Sequence, residues 1–291
     1  MSAVLQPQQP TGIIKGLSNE VYHSGPGISK SGLDDMEPPA RYYALHLDPK
    51  RPERVQTAGQ RVGTLAHCAI LEPEQFAKRY AVGPDVIRST KVWKEFELSL
   101  APGVEAIKPD EAAVAWMQRE QVLKLRPYGL EMAKILNAGN AEVSAFWEDP
   151  YTGVLCRCRP DLAVGGVLLD LKTVGDSSPS DFRLQVRRMR YDVQDAFYSV
   201  GYGIASGSPV ERLLFVTVET SYPFIAAVHE LLPESKAAGA EKARAALNTY
   251  ARCLAEDTWP HYGSEIHQIQ LPGWALGTAN RSQPEREPEE Y

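Results

Sequence analysis

Hydrophobic spacing divides the chain into segments of different period. Val62, Leu65, Ala66, Ala69 and Ile70 recur at helical spacing and Pro73 follows, so a short buried helix carrying His67 is expected. Pro109 opens a longer helical pattern in which Val114, Met117, Gln121, Val122 and Leu125 form the apolar side until Pro127. From Glu142 the period changes to two: EVSAFW alternates, the turn-rich DPYTG follows, and VLCRCRPD alternates again before AVGG. After Gly166, VLLDLKT reads as a third strand with Val167, Leu169 and Leu171 on one face and Leu168, Asp170 and Lys172 on the other. Residues 182–205 read as one helix, with Val193, Phe197, Val200 and Ile204 as an apolar stripe and Tyr191, Gln194 and Tyr198 as a polar, aromatic one. The strands LLFVTVE and FIAAVHE and a helix from about Pro233 to Glu256 complete an α/β arrangement, a mixed central β-sheet flanked by helices.

The ends differ from this body. Residues 1–20 are polar and Pro/Gln-rich and residues 276–291 are acidic with few apolar anchors, so a flexible arm and tail are expected around a domain at 21–275. With 31 Lys+Arg against 37 Asp+Glu, the net charge of −6 excludes a uniformly basic coat but not a local basic patch. No apolar run approaches the roughly 20 residues of a membrane helix, and no basic start precedes an apolar signal core, so the expected compartment is the cytoplasm. The four cysteines, Cys68, Cys156, Cys158 and Cys253, are too scattered for a disulfide framework. A C-x-C without a second close pair is a weak metal signal, so Cys156 and Cys158 read as small buried hydrophobes. No Walker A pattern occurs, so no ATP-driven motor is expected.

The short AVGG connection places Asp161 near Asp170 and Lys172. Carboxylates held that close repel unless a cation lies between them, and oxygen ligands suit Mg²⁺ or Mn²⁺. The lysine shares their space, where it can orient water and stabilise charge on a phosphate. Taken singly, Asp161 could cap a turn and D-x-K could be a solvated ion pair. Two further patterns add weight: G-x-x-x-H from Gly63 to His67, and Q-x-x-x-Y from Gln194 to Tyr198 on one helical face. Glu142 reads as an acid near the site, either behind the ligands or among them. Arg187, Arg188 and Arg190 in QVRRMR offer a local positive field for phosphate.

In this order, G-x-x-x-H, R-P-D (Arg159 to Asp161), D-L-K (Asp170 to Lys172) and Q-x-x-x-Y resemble the RecB-type branch of the PD-(D/E)XK nuclease superfamily. The stretches FWEDPYTGVLCRCRPD, YDVQDAFYSVGY, AHCAILEPEQF and TWP further resemble the nuclease domain of RecE-type exonucleases. That resemblance implies a Mg²⁺-dependent 5′-to-3′ exonuclease acting on double-stranded DNA ends and leaving 3′ overhangs, with Mn²⁺ as substitute. It implies metal ligation by His67, Asp161, Asp170 and the backbone carbonyl of Leu171, with Lys172 catalytic and Gln194 and Tyr198 active on the neighbouring helix. It also implies a RecT-like annealing partner and a homo-oligomeric ring, a tetramer. The iron–sulfur relatives carry four grouped cysteines that this sequence lacks, so no such cluster is expected. The alternatives are an endonuclease of the same superfamily and a DNA-binding or assembly protein that keeps the fold without cleaving.

Overall fold

The structure, a computed structural model, describes residues 11–52 and 58–271. Its first strand, β1 (Gly12–Ile14), leads into three short helices, α1 (Asn19–Ser24), α2 (Lys30–Asp34) and α3 (Pro39–Tyr42), the last continuing as a wide π-helical turn over Tyr43–Leu47. Next come α4 (Ala58–Leu71), α5 (Pro73–Arg79), β2 (Tyr80–Val82), α6 (Lys91–Ser99), β3 (Glu105–Ile107), α7 (Pro109–Leu123) and α8 (Met132–Ala138). The strands β4 (Asn140–Ala141), β5 (Ser144–Glu148), β6 (Leu155–Cys158), β7 (Leu162–Val164) and β8 (Val167–Val174) follow without an intervening helix. The chain then forms α9 (Pro179–Met189), α10 (Tyr191–Ser206), β9 (Arg212–Glu219), β10 (Ala226–Glu230) and α11 (Pro233–Glu256).

The main sheet has the order β10-β9-β8-β7-β4, with β8 and β9 parallel and the other pairs antiparallel. A smaller sheet has the order β1-β5-β6, and β2 pairs with β3. The alternation in β8 sorts its side chains as its sequence predicts. Leu169 and Leu171 enter a core with Ala66 and Ile70 of α4 and Val122 of α7, while Leu168 enters the opposite core with Phe182 and Tyr191. Cys156 and Cys158 are fully buried apolar partners of Val193 and Phe197, the role expected of small hydrophobes.

Four details differ from the sequence reading. The folded body starts before residue 21: β1 pairs with β5, and the carbonyl of Leu17 accepts a hydrogen bond from Arg159. The tail expected at 276–291 lies outside the described residues. The link before β8 is two residues, because Val164 pairs with Val167 across Gly165 and Gly166, whose φ values of 51° and 83° suit a tight primed turn. The helix expected at 182–205 is broken at Arg190, which adopts left-handed φ 52°, and beyond the break Val193 and Phe197 are buried whereas Val200 and Ile204 face solvent. In α7 the buried positions are Ala112, Ala115, Gln118 and Val122: of the expected apolar side Val122 is buried, Val114 and Leu125 pack partly against the core and Met117 is exposed, while small residues let the helix lie against α4 and Gln118 donates to the carbonyl of Glu219.

Candidate active site

The site forms where β7 stops short of β8. Their last pair toward the site is Leu162 with Leu169, and Pro160, lacking an N–H, interrupts the strand before Asp161. The exposed edge of β8 is completed by a side chain, since the Asp161 carboxylate accepts the Leu171 N–H at 2.6 Å. One residue along, Asp170 and Lys172 point to the α10 side, where Lys172 Nζ lies 2.5 Å from Asp170 Oδ2 and 4.7 Å from the Tyr191 ring centre. Gln194 Nε2 donates to the other Asp170 oxygen. The three groups are therefore fixed by one helix and a strand, with side-chain exposures of 5% for Asp170 and 20% for Lys172.

From the other side α4 supplies His67. Gly63 allows the approach: a Cβ there would lie 3.3 Å from the Thr173 hydroxyl, which gives the first position of G-x-x-x-H a steric reason. His67 Nε2 is 3.0 Å from the Leu171 carbonyl oxygen, and Nδ1 is 3.6 Å from Asp161. Glu142 completes the group. It is not on a strand face, as alternation suggested, but in the turn between β4 and β5 with φ 51°, its N–H bonded to the carbonyl of Asp161. One ligand atom from each of His67, Glu142 and Asp161 lies within 4.8 Å of the other two.

Electrostatics sets these residues apart. Burial, then repulsion by Asp170, pushes Asp161 up to about 8, and burial, then Asp161, pushes Glu142 up to about 7. Burial lowers the His67 value against the pull of Glu142 and Asp170, favouring a neutral imidazole with a lone pair to give. Burial alone would lower Lys172 as well, but Asp170, Tyr191 and Asp161 outweigh it and raise its value, so it is an ammonium. Two crowded carboxylates, a neutral imidazole and a backbone carbonyl form a donor set that fits a hard or borderline divalent cation. Its charge would relieve the repulsion that keeps the acids protonated.

A cleft of about 600 Å³ exposes this group and includes Asp161, Asp170, Lys172, Gln194 and Tyr198. Of the predicted arginines, none lines the cleft. Arg187 and Arg188 are exposed on α9, and Arg190 lies 3.6 Å from Asp34 in an ion pair. The opposite wall belongs to the N-terminal helices, which sequence reasoning missed. Lys30 lines the cleft, donates to the Met189 carbonyl at 2.6 Å and pairs with Asp34 at 2.7 Å. Ser29, the N-cap of α2, was the available local signal, but nothing in its spacing links it to residues 140 positions later. Arg159 of R-P-D binds Ser144, Asn19 and Leu17, tying that wall to β5.

Sheet order, flanking helices and the D-L-K strand define the PD-(D/E)XK nuclease fold. Residues 30–272 match the family described as "PDDEXK-like domain of unknown function (DUF3799)", and the chain belongs to that family. A crystal structure described as "Putative exonuclease" from Eubacterium rectale is similar in fold, with TM-score 0.56 and 14% identity over 91% of this chain and 97% of that one. No curated protein matches. Among the described residues, no helix is long and apolar enough to cross a membrane.

Proposed function

We propose that the protein is a Mg²⁺-dependent exonuclease that digests the 5′-ended strand of double-stranded DNA and leaves 3′ overhangs. The observation that carries this reading is the convergence of Asp161, Asp170, Lys172 and His67 in one cleft, with Glu142 within ligand distance of His67 and Asp161. The polarity, the duplex substrate and the overhangs rest on the resemblance to RecE-type nucleases. So do the RecT-like annealing partner and the ring-shaped tetramer.

His67, Asp161, Glu142 and the Leu171 carbonyl would hold the cation, with Asp170 beside them. When bound, it would supply Lewis-acid polarisation of the phosphate and a more acidic water. The chain's own groups do the rest. Lys172 Nζ keeps its proton and offsets the charge that builds on the phosphate oxygens as water attacks phosphorus and the bond to the leaving oxygen breaks. Gln194 fixes the Asp170 carboxylate, and through it the lysine. Tyr198 closes the cleft beside them.

Linear duplexes labelled on the 5′- or the 3′-ended strand, incubated with Mg²⁺ or EDTA, test the proposal. Magnesium-dependent release from the 5′-ended strand is expected, with Mn²⁺ able to substitute. Release from the 3′-ended strand alone would refute the polarity. Cutting of closed circles would identify an endonuclease, and binding without cleavage under any metal would leave an assembly protein.

A further inference from the structure

The catalytic cleft is not closed at its N-terminal wall. His23, Ser29 and Ser31 also line a second groove of about 990 Å³, which runs on between α1 and the turn Tyr43–Leu47. Its bed is rigid. Arg157, buried beneath it, donates to the carbonyls of Tyr22 and His23 and to that of Gly25, which holds the His23–Gly27 wall in shape.

The far wall carries a stack of rings. Tyr42 lies nearly parallel to Trp259, with centres 5.5 Å apart and planes 17° apart, and to His46 at 4.6 Å and 21°. Of these two stacked rings, His46 lines the groove and Trp259 does not. His46 is fixed edgewise by Asp35 at 2.8 Å. Arg51, exposed and tethered to the carbonyl of His46 at 3.1 Å, stands on the same rim.

Size restricts what can reach the catalytic group. A cleft of about 600 Å³ has the volume of a small-molecule pocket, which admits a stretch of one strand and not a turn of duplex. A single strand lying with its phosphate at Lys172 must continue somewhere, and the contiguous groove offers polar walls, a cation and a stacked aromatic ring on its wall, the elements of single-strand recognition.

Resting on the reading of the cleft as a nuclease site, we infer that this groove holds the single-stranded continuation of the substrate strand, with a nucleobase stacked on His46 and Arg51 against its phosphates. The test pairs two readouts on the full chain. Affinity for a labelled oligothymidylate is measured by fluorescence anisotropy in EDTA, and hydrolysis of bis(p-nitrophenyl) phosphate, a diester too small to reach the groove, is measured with Mn²⁺. His46→Ala should weaken oligonucleotide binding about tenfold, His46→Phe should restore it by supplying a neutral ring, and both should hydrolyse the small diester like the unaltered protein. Arg51→Ala should weaken binding and flatten its salt dependence. Wild-type affinity in His46→Ala, or failure of His46→Phe to restore it in a protein that melts normally, overturns the inference and leaves a protein segment as the groove's occupant. An unaltered protein inert toward the small diester and toward DNA, yet showing the His46 pattern in binding, would refute the proposed activity and retain the groove.

Discussion

The ring of His67 and the carbonyl oxygen of Leu171 face each other at 3.0 Å, although one belongs to a helix and the other to a strand 104 residues later. Both are potential ligands, and both are brought there by the same gap, the early end of β7. Had β7 continued alongside β8, the Leu171 carbonyl would be engaged in a ladder. Because it does not, a backbone acceptor and a neutral imidazole stand beside two carboxylates that need a cation. This makes His67 a determinant of metal affinity more than of chemistry. His67→Ala should raise the Mg²⁺ concentration required for half-maximal cleavage by about 10- to 100-fold, while saturating Mn²⁺ recovers much of the rate. Metal titrations of the two proteins check this, and an unchanged requirement would remove His67 from the ligand set.

Lys172 should matter at every metal concentration. Lys172→Met keeps the length of the side chain and removes the charge, so cleavage should fall by about 10²- to 10³-fold with no recovery at high Mn²⁺. Asp170→Asn should do the same while duplex ends still bind. Single-turnover digestion separates these losses from binding defects.

Gln194 acts through Asp170, its amide holding one oxygen while Lys172 holds the other. Gln194→Leu leaves that oxygen buried without its donor, and a loss of about 10- to 100-fold in rate is expected with little change in substrate affinity. Gln194→Glu should be worse, because it adds a fourth acid to Asp161, Asp170 and Glu142 in a site already crowded with negative charge.

The sequence signals that survived in the structure are local ones. Alternation in VLLDLKT sorted Asp170 and Lys172 from Leu169 and Leu171, and the spacing of Tyr191, Gln194 and Tyr198 placed all three on the cleft side of one helix. What sequence could not reveal depends on distant partners. The break at Arg190 has no proline or glycine to mark it: the left-handed residue is stabilised by Asp34, and Lys30 accepts the role of capping the Met189 carbonyl. Glu142 was legible as an acid near the site but its turn was not, since that conformation is set by the pairing of β4 with β7. The arginines of α9 looked close in sequence to the site, but the break turns Arg190 toward Asp34 and leaves Arg187 and Arg188 on the outer surface.

Proton linkage gives a signed prediction for the metal-free protein. Asp161 at about 8 and Glu142 at about 7 both stand above the ordinary carboxylate range, so the folded chain holds more protons than the unfolded chain between that range and about pH 8. The stability these two acids contribute is complete below their unfolded values and is lost as pH rises through their folded values. The melting temperature in EDTA should therefore fall between about pH 5.5 and pH 8.5, and saturating Mn²⁺ should remove the decline by favouring the ionised acids. Binding near neutral pH should release protons, which calorimetry in buffers of different ionisation enthalpy detects. A pH-independent melting temperature without metal would contradict the crowding of these acids.

Helix α11 bears on the site through its contact with α10. A Cβ on Gly239 would fall 2.0 Å from the backbone carbonyl oxygen of Asp192, two residues before Gln194. Backbone cannot step aside as a side-chain tip can, so Gly239→Ala must push the two helices apart. The displacement would also strain the pair of Lys242 with Asp192, at 2.5 Å, and that of Lys236 with Asp195, at 3.7 Å. A loss of about 1–3 kcal/mol is expected from overpacking, with larger values if the pairs break. Gly175→Ala, where nothing lies within 4 Å of the added carbon, should change stability by less than about 0.5 kcal/mol. Urea denaturation of the two variants measures the contrast. Because α10 also carries Gln194 and Tyr198, cleavage by the Gly239→Ala protein should decline under conditions where it remains fully folded. Full activity with reduced stability would mean that α10 holds its active-site face independently of α11.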